Sequence, residues 1–241
     1  MSSINARRDS DLADLTALRH AAASVRHPLT RALLLLTFST GLVDAASYLG
    51  IGHVFAANMT GNIVLLGFGL AGAGGLPVLA PLVSLGAFLL GAGTGGVLAS
   101  CLARHRRNLV VALGIETLLL LAAAAVAAAV HVRAGAIAGD AVIALLALGM
   151  GVRNSTVRKL AIPDLTTTVL TMTLTGLAAE SRLFGGTGAG TVRRSTAVGS
   201  MLLGAFTGAL LLKSSLVLVL SVAAVLAGGT LLTYHTLTGD G

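Results

Sequence analysis

Two carboxylates stand in stretches of sequence that are otherwise almost wholly apolar. Asp44 interrupts ALLLLTFSTGLVDAASYLG and Glu116 interrupts LVVALGIETLLLLAAAAV. An ionised side chain at the centre of a bilayer costs roughly 2.5–3.5 kcal/mol or more, so it is expected to bind something, pass a proton or find a partner. Asp44 is a candidate site residue and, if protons drive any transport, the candidate proton carrier. Glu116 reads as structural, held neutral or reaching towards the interface, because the second half of the chain offers no matching acid.

Amides and hydroxyls supply the other candidates. The stretch 54–72, VFAANMTGNIVLLGFGLAG, has a polar centre of Asn58, Thr60, Gly61 and Asn62. Glycine permits a sharp break, and Asn and Thr side chains can bond the backbone groups that a break frees. The same side chains, with the loop's own carbonyls and amides, can also be offered to a small solute. The stretch 165–179, LTTTVLTMTLTGLAA, is rich in threonine, and Thr167, Thr171 and Thr175 share a face with Thr168 beside them. Threonine in a membrane helix can bond back to its own helix or across to another, so packing glue and a hydroxyl-lined solute path both stand open. The solute-binding candidates are therefore Asp44, Asn58, Thr60, Asn62, Asn154, Thr168, Thr171 and Thr173.

Pro163-Asp164 precedes the threonine run and suits a helix start. Arg153, Arg158 and Lys159 lie just upstream and read as cytoplasmic positive charge at a span end, with contact to an anionic lipid or solute as the lesser reading.

Other chemistries find no support. There is no Ser/His/Asp set, no HExxH, no paired-carboxylate motif and no phosphate-binding loop, so an enzyme is not expected, nor a cofactor. One cysteine, Cys101, and six scattered histidines give neither an internal disulfide nor a metal spacing. The net charge of +7 sits in short clusters between apolar segments, with few aromatic residues. That pattern orients spans in a membrane and does not suggest nucleic acid.

The elements that must position these residues follow from composition. Hydrophobic residues make up 55% of the 241-residue chain, charged residues 10%, and the mean hydropathy is +0.92. Soluble domains carry about 25% charged residues, so lipid is the natural solvent for this chain. Six clear apolar segments run over about 32–50, 76–102, 109–131, 136–152, 195–212 and 215–234. The first of these reads as a retained span, not a cleaved signal, because Asp44 interrupts it and more apolar segments follow.

Charge decides how the two polar stretches are placed. With a cytoplasmic N-terminus and neither stretch crossing, fourteen of the sixteen basic residues fall on the cytoplasmic side, leaving Arg133 and Lys213 outside. With both crossing, the split is nine to seven. The asymmetry favours six spans plus two segments that enter and leave on one side.

The halves also resemble each other. Gly41 and Asp44 correspond to Gly151 and Asn154, and Thr60-Gly61-Asn62 to Thr171-Met172-Thr173. Gly86, Ala87, Gly91 and Gly95 recur as Gly199, Ser200, Gly204 and Gly208. Three spans per half make the second half inverted relative to the first, a plan that recurs in secondary transporters. The small-residue ridges either join the halves or form a homo-oligomer.

The expected fold is thus an all-α integral membrane protein. It has about six transmembrane helices in two three-helix inverted repeats, each with an additional polar re-entrant or broken segment. Residues 1–30 form a polar basic cytoplasmic arm, 31–134 and 135–235 the two repeats, and 236–241 a short tail.

Two runs carry a family likeness. GLVDAASYLGIGHVFAANMTGNIVLLG (Gly41–Gly67) and GVRNSTVRKLAIPDLTTTVLTMTLTGLA (Gly151–Ala178) resemble the characteristic stretches of the YoaK family, bacterial membrane proteins with a domain of unknown function, 1275. The likeness covers about 30–235. It implies about six spans in the bacterial cytoplasmic (inner) membrane. It brings no established activity and no assigned residues. The expected function is a small-solute transporter or permease with its site between the repeats. The alternative is a non-transporting scaffold or assembly factor whose polar segments only pack helices. The lipid bilayer and an unknown small solute are the expected partners.

Overall fold

Long apolar runs without interior proline form helices, and glycine or polar clusters end them. The computed structural model describes residues 28–102, 105–160 and 170–237. Among these, α1 (Pro28–Ser47) continues into a π-helical turn (Tyr48–Gly52). There follow α2 (Met59–Leu70), α3 (Leu79–Cys101), α4 (His105–Ala129), α5 (Ile137–Leu160), α6 (Leu170–Ala179), α7 (Thr191–Leu212) and α8 (Leu216–Leu237).

Among the described residues, six helices are long and apolar enough to cross a bilayer: α1 with its π turn, α3, α4, α5, α7 and α8. The short ones, α2 and α6, have 12 and 10 residues. At 1.5 Å per residue α2 alone does not reach across a core about 30 Å thick. Large apolar side chains such as Leu89, Leu90, Leu202, Phe206 and Val225 are exposed on the outer faces, where lipid meets them.

The interior is built on α1, whose Leu33, Leu36, Leu42, Val43 and Ala46 are fully buried. Two close helix crossings hold it in place, α1 against α7 and α3 against α5. Both depend on glycine. A Cβ on Gly204 would fall on the carbonyl of Phe38, and one on Gly41 on the carbonyl of Met201. At the other crossing, a Cβ on Gly91 would strike the carbonyl of Leu148, and one on Gly151 that of Phe88. Backbones can approach this closely only where side chains are absent. The ridge glycines Gly91, Gly95, Gly204 and Gly208 therefore join first-half helices to second-half helices within one chain, which leaves them no room for a second copy. Gly86 and Gly199 have nothing within 4 Å of a Cβ position.

The remaining pairs follow one pattern. Helix α4 packs on α5 and α8, α8 on α1, α2 on α3, and α6 on α7. Exchanging α1–α4 with α5–α8 maps each of these pairs onto another pair of the same set, or onto itself.

One boundary differs from the expectation. The fourth span was expected to stop at 152, before Arg153, yet α5 runs on to Leu160. The helix continues because Arg153 turns inward and is wholly buried, while Arg158 and Lys159 are exposed.

Candidate functional site

The first polar stretch is a true break in the helix. His53 adopts a left-handed conformation with φ of 54°, and its N–H donates to the carbonyl of Tyr48 at 3.0 Å. Residues 54–58 are then non-helical, with Val54, Ala56 and Ala57 buried. Buried irregular backbone must find hydrogen-bond partners. Asp44 supplies two of them: its Oδ1 accepts from the amides of Ala56 at 3.0 Å and Ala57 at 2.9 Å. Asn62 supplies two more. Its Oδ1 accepts from the Phe55 N–H at 2.8 Å and its Nδ2 donates to the Phe55 carbonyl at 2.7 Å. Ser84 of α3 joins by donating to the same carbonyl at 2.7 Å and accepting from Asn62 at 3.0 Å. Asn58 caps α2, its side chain accepting from the Gly61 amide at 3.2 Å. The Phe55 ring stacks on Tyr48 with centroids 4.7 Å apart.

The described part of the second stretch is held from outside. Arg194 of α7 donates from Nη1 to the Gly176 carbonyl at 3.0 Å and to Glu180 at 2.8 Å, which fastens the end of α6. A Cβ on Gly176 would press on that guanidinium. Within α6 the Thr175 hydroxyl bonds back to the Thr171 carbonyl at 2.9 Å, Thr173 is buried and Thr171 is exposed.

A cavity of about 1210 Å³ lies where the two halves meet. Its described lining comes from α1, the first break, α2, α3, α5, α6 and α7, with nothing from α4 or α8. Five of the eight candidate residues line it: Asp44, Asn58, Thr60, Asn154 and Thr171. Asn62 and Thr173 are buried and stand outside the lining. Thr168 lies outside the described residues, as do Pro163 and Asp164. Thr40, Tyr48 and Ser155 also line the cavity, and nothing in their sequence context singles them out for it; Arg158 lines it too, although it was expected chiefly as charge at a span end.

Beside the cavity is an ion pair that corrects two expectations. Arg153 is not surface charge at a span end, and Glu116, expected to be held neutral or to reach towards the interface, is instead buried against a cation. The Arg153 Nη1 donates to Glu116 Oε1 at 2.7 Å, and both side chains are 0% exposed. Arg153 Nη2 donates to the Thr40 hydroxyl and to Met150 Sδ. Thr40 in turn donates to the Leu36 carbonyl at 2.8 Å. The guanidinium thus ties α1, α4 and α5 together. Relative depth could have revealed it. The two charges are opposite, sit on consecutive helices, and lie towards the start of α4 and the end of α5, which a short turn places on one side.

The fold and cavity together define a multi-pass α-helical membrane protein with a chamber between its halves, lined by both apolar and polar side chains. The chain matches the family described as "Protein of unknown function (DUF1275)" over residues 32–233 and belongs to it. It is 33% identical over 176 residues to the UPF0700 transmembrane protein YoaK of Bacillus subtilis (strain 168), covering 68% of this chain and 71% of that protein. No solved structure matches it.

Proposed function

We propose that this protein is a small-solute transporter or permease, and not an enzyme, with its site in the cavity between two inverted repeats. The observation that carries the reading is the cavity itself, lined by polar residues of both atypical segments. The exchange pattern of the helix pairs supports the repeat. So does the matching of Gly41 with Gly151, Gly91 with Gly204 and Gly95 with Gly208 at the two crossings. Asp44 accepting the amides of Ala56 and Ala57 supports a first segment that dips in and returns, because the chain must turn back from Gly52 to reach it. The excess of basic residues favours an N-terminus in the cytoplasm and a protein of the bacterial inner membrane.

One observation favours the scaffold reading. Asn62 is fully engaged by Phe55 and Ser84, which is the behaviour of packing glue. Labelling separates the two. In a Cys101→Ser background, Thr60→Cys and Thr171→Cys are each exposed to a membrane-impermeant maleimide from either side. A transporter with two half-segments labels at Thr60→Cys from outside and at Thr171→Cys from the cytoplasm. Labelling of neither would leave a scaffold.

A further inference from the structure

We propose that the cavity selects cations and that its solute carries an ammonium group paired with Asp44. This rests on the transporter reading and adds a chemical class to it. The argument is a census of charge. Among the described residues, the cavity lining holds one carboxylate, Asp44, and one cationic side chain, Arg158. Asp44 is 5% exposed, whereas Arg158 is exposed. A hydrated guanidinium is screened by water and salt, while a buried carboxylate keeps most of its field. The other cation near Asp44, Arg153, is occupied by Glu116, Thr40 and Met150, so its charge is already matched by a carboxylate.

What Asp44 receives from Ala56 and Ala57 is two peptide dipoles, which orient it without neutralising it. A carboxylate at the edge of a water-filled chamber, hydrogen-bonded only to neutral amides among the contacts described, is suited to a mobile counter-ion. The neighbouring surfaces suit an organic one. The rings of Tyr48 and Phe55 line the same cavity, and aromatic faces attract ammonium groups. Asn58, Thr60 and Thr171 add neutral acceptors for the rest of a polar solute.

The test uses charged thiol reagents as probes of the full-length protein in nanodiscs at low ionic strength, in the Cys101→Ser background. Thr60→Cys is reacted with 2-(trimethylammonium)ethyl methanethiosulfonate and with the 2-sulfonatoethyl reagent. Each rate is divided by that of the same reagent with 2-mercaptoethanol. The cationic reagent is expected to be favoured by about tenfold or more, the range over which a charged cleft concentrates ions. Asp44→Asn should abolish that preference and Asp44→Glu should keep it. Equal rates, a preference for the anion, or a preference that survives Asp44→Asn would overturn the proposal while leaving the chamber intact. Failure of both reagents to react would overturn the water-filled chamber, and with it the transporter reading.

Discussion

The two polar segments occupy corresponding places, α2 against α3 and α6 against α7, but they are fastened by different chemistry. The first is held from within its own half by a carboxylate and an amide, Asp44 and Asn62, that take up the amides of a non-helical stretch. The described part of the second is held at its far end by a guanidinium from the next helix, Arg194. The glycine crossings beneath them hardly differ. Moving 110 residues along the chain takes Gly41 to Gly151, yet it takes Thr40, Val43 and Asp44 to Met150, Arg153 and Asn154. Close packing is thus repeated in both halves while charge is placed once. Backbone contact leaves no latitude at a glycine, whereas a neighbouring position can change sign provided a partner is found for it.

The largest effect should come from the charge that has no counterpart in the other half. Arg153→Met leaves Glu116 buried and unpaired, and breaking such a pair costs about 3–5 kcal/mol. Unfolding in mixed detergent micelles should register that loss. The double change Arg153→Met with Glu116→Gln should recover most of it, since an uncharged pair needs no counter-ion.

Gly91→Ala and Gly204→Ala come next and should behave alike. Each puts a methyl group onto a facing carbonyl, and overpacking of this kind costs about 1–3 kcal/mol. Gly86→Ala and Gly199→Ala, one turn or so away on open faces, should stay within about 0.5 kcal/mol of the parent. A large difference between Gly91→Ala and Gly204→Ala would break the equivalence of the two crossings.

Asp44→Ala removes the one oxygen shared by the Ala56 and Ala57 amides and should cost about 1–3 kcal/mol in all. Asp44→Asn, whose oxygen can still accept both, should remain near the parent in the same measurement. That separates the acid's fastening role from its charge. The most local effect is expected at Arg194→Ala: its pair with half-exposed Glu180 contributes at most about 1 kcal/mol, and the loss of its bond to the Gly176 carbonyl is felt at the end of α6. Its signature should be faster amide exchange in residues 170–180, with the first segment unchanged.

Much of this plan is legible in the sequence, because hydropathy and glycine spacing are local properties. The six spans, the break in the first polar stretch and the glycines at the two crossings follow from them directly. Asp44, Asn58, Thr60 and Thr171 could be picked out as polar residues in apolar stretches and Asn154 as the counterpart of Asp44, and all five line the cavity. Three things could not be read the same way. Arg153 looks like the end of a span, because a window of hydropathy sees a cation and not the carboxylate that faces it from α4. Thr40 looks like one of many threonines bonding back to their own helix, and only the fold brings Arg153 to it. Asn62 looks like a site residue because its types of donor and acceptor suit a solute, but the Phe55 backbone and Ser84 use them first. Thr40 and Asn62 depend on contacts between distant segments, which a pattern along the chain does not carry, whereas Arg153 needs the depths of two consecutive spans to be compared.

The central claim is that both polar segments face one chamber between the halves, and cross-linking tests it most directly. The double variant Thr60→Cys/Thr171→Cys, in the Cys101→Ser background, would be treated with a flexible bifunctional thiosulfonate and analysed by mass spectrometry after proteolysis. A shared chamber predicts a bridge joining peptides from the first and second halves, reversed by reductant. Efficient labelling of each single cysteine with no bridge between them would mean that the two positions share no common space, which contradicts a shared chamber.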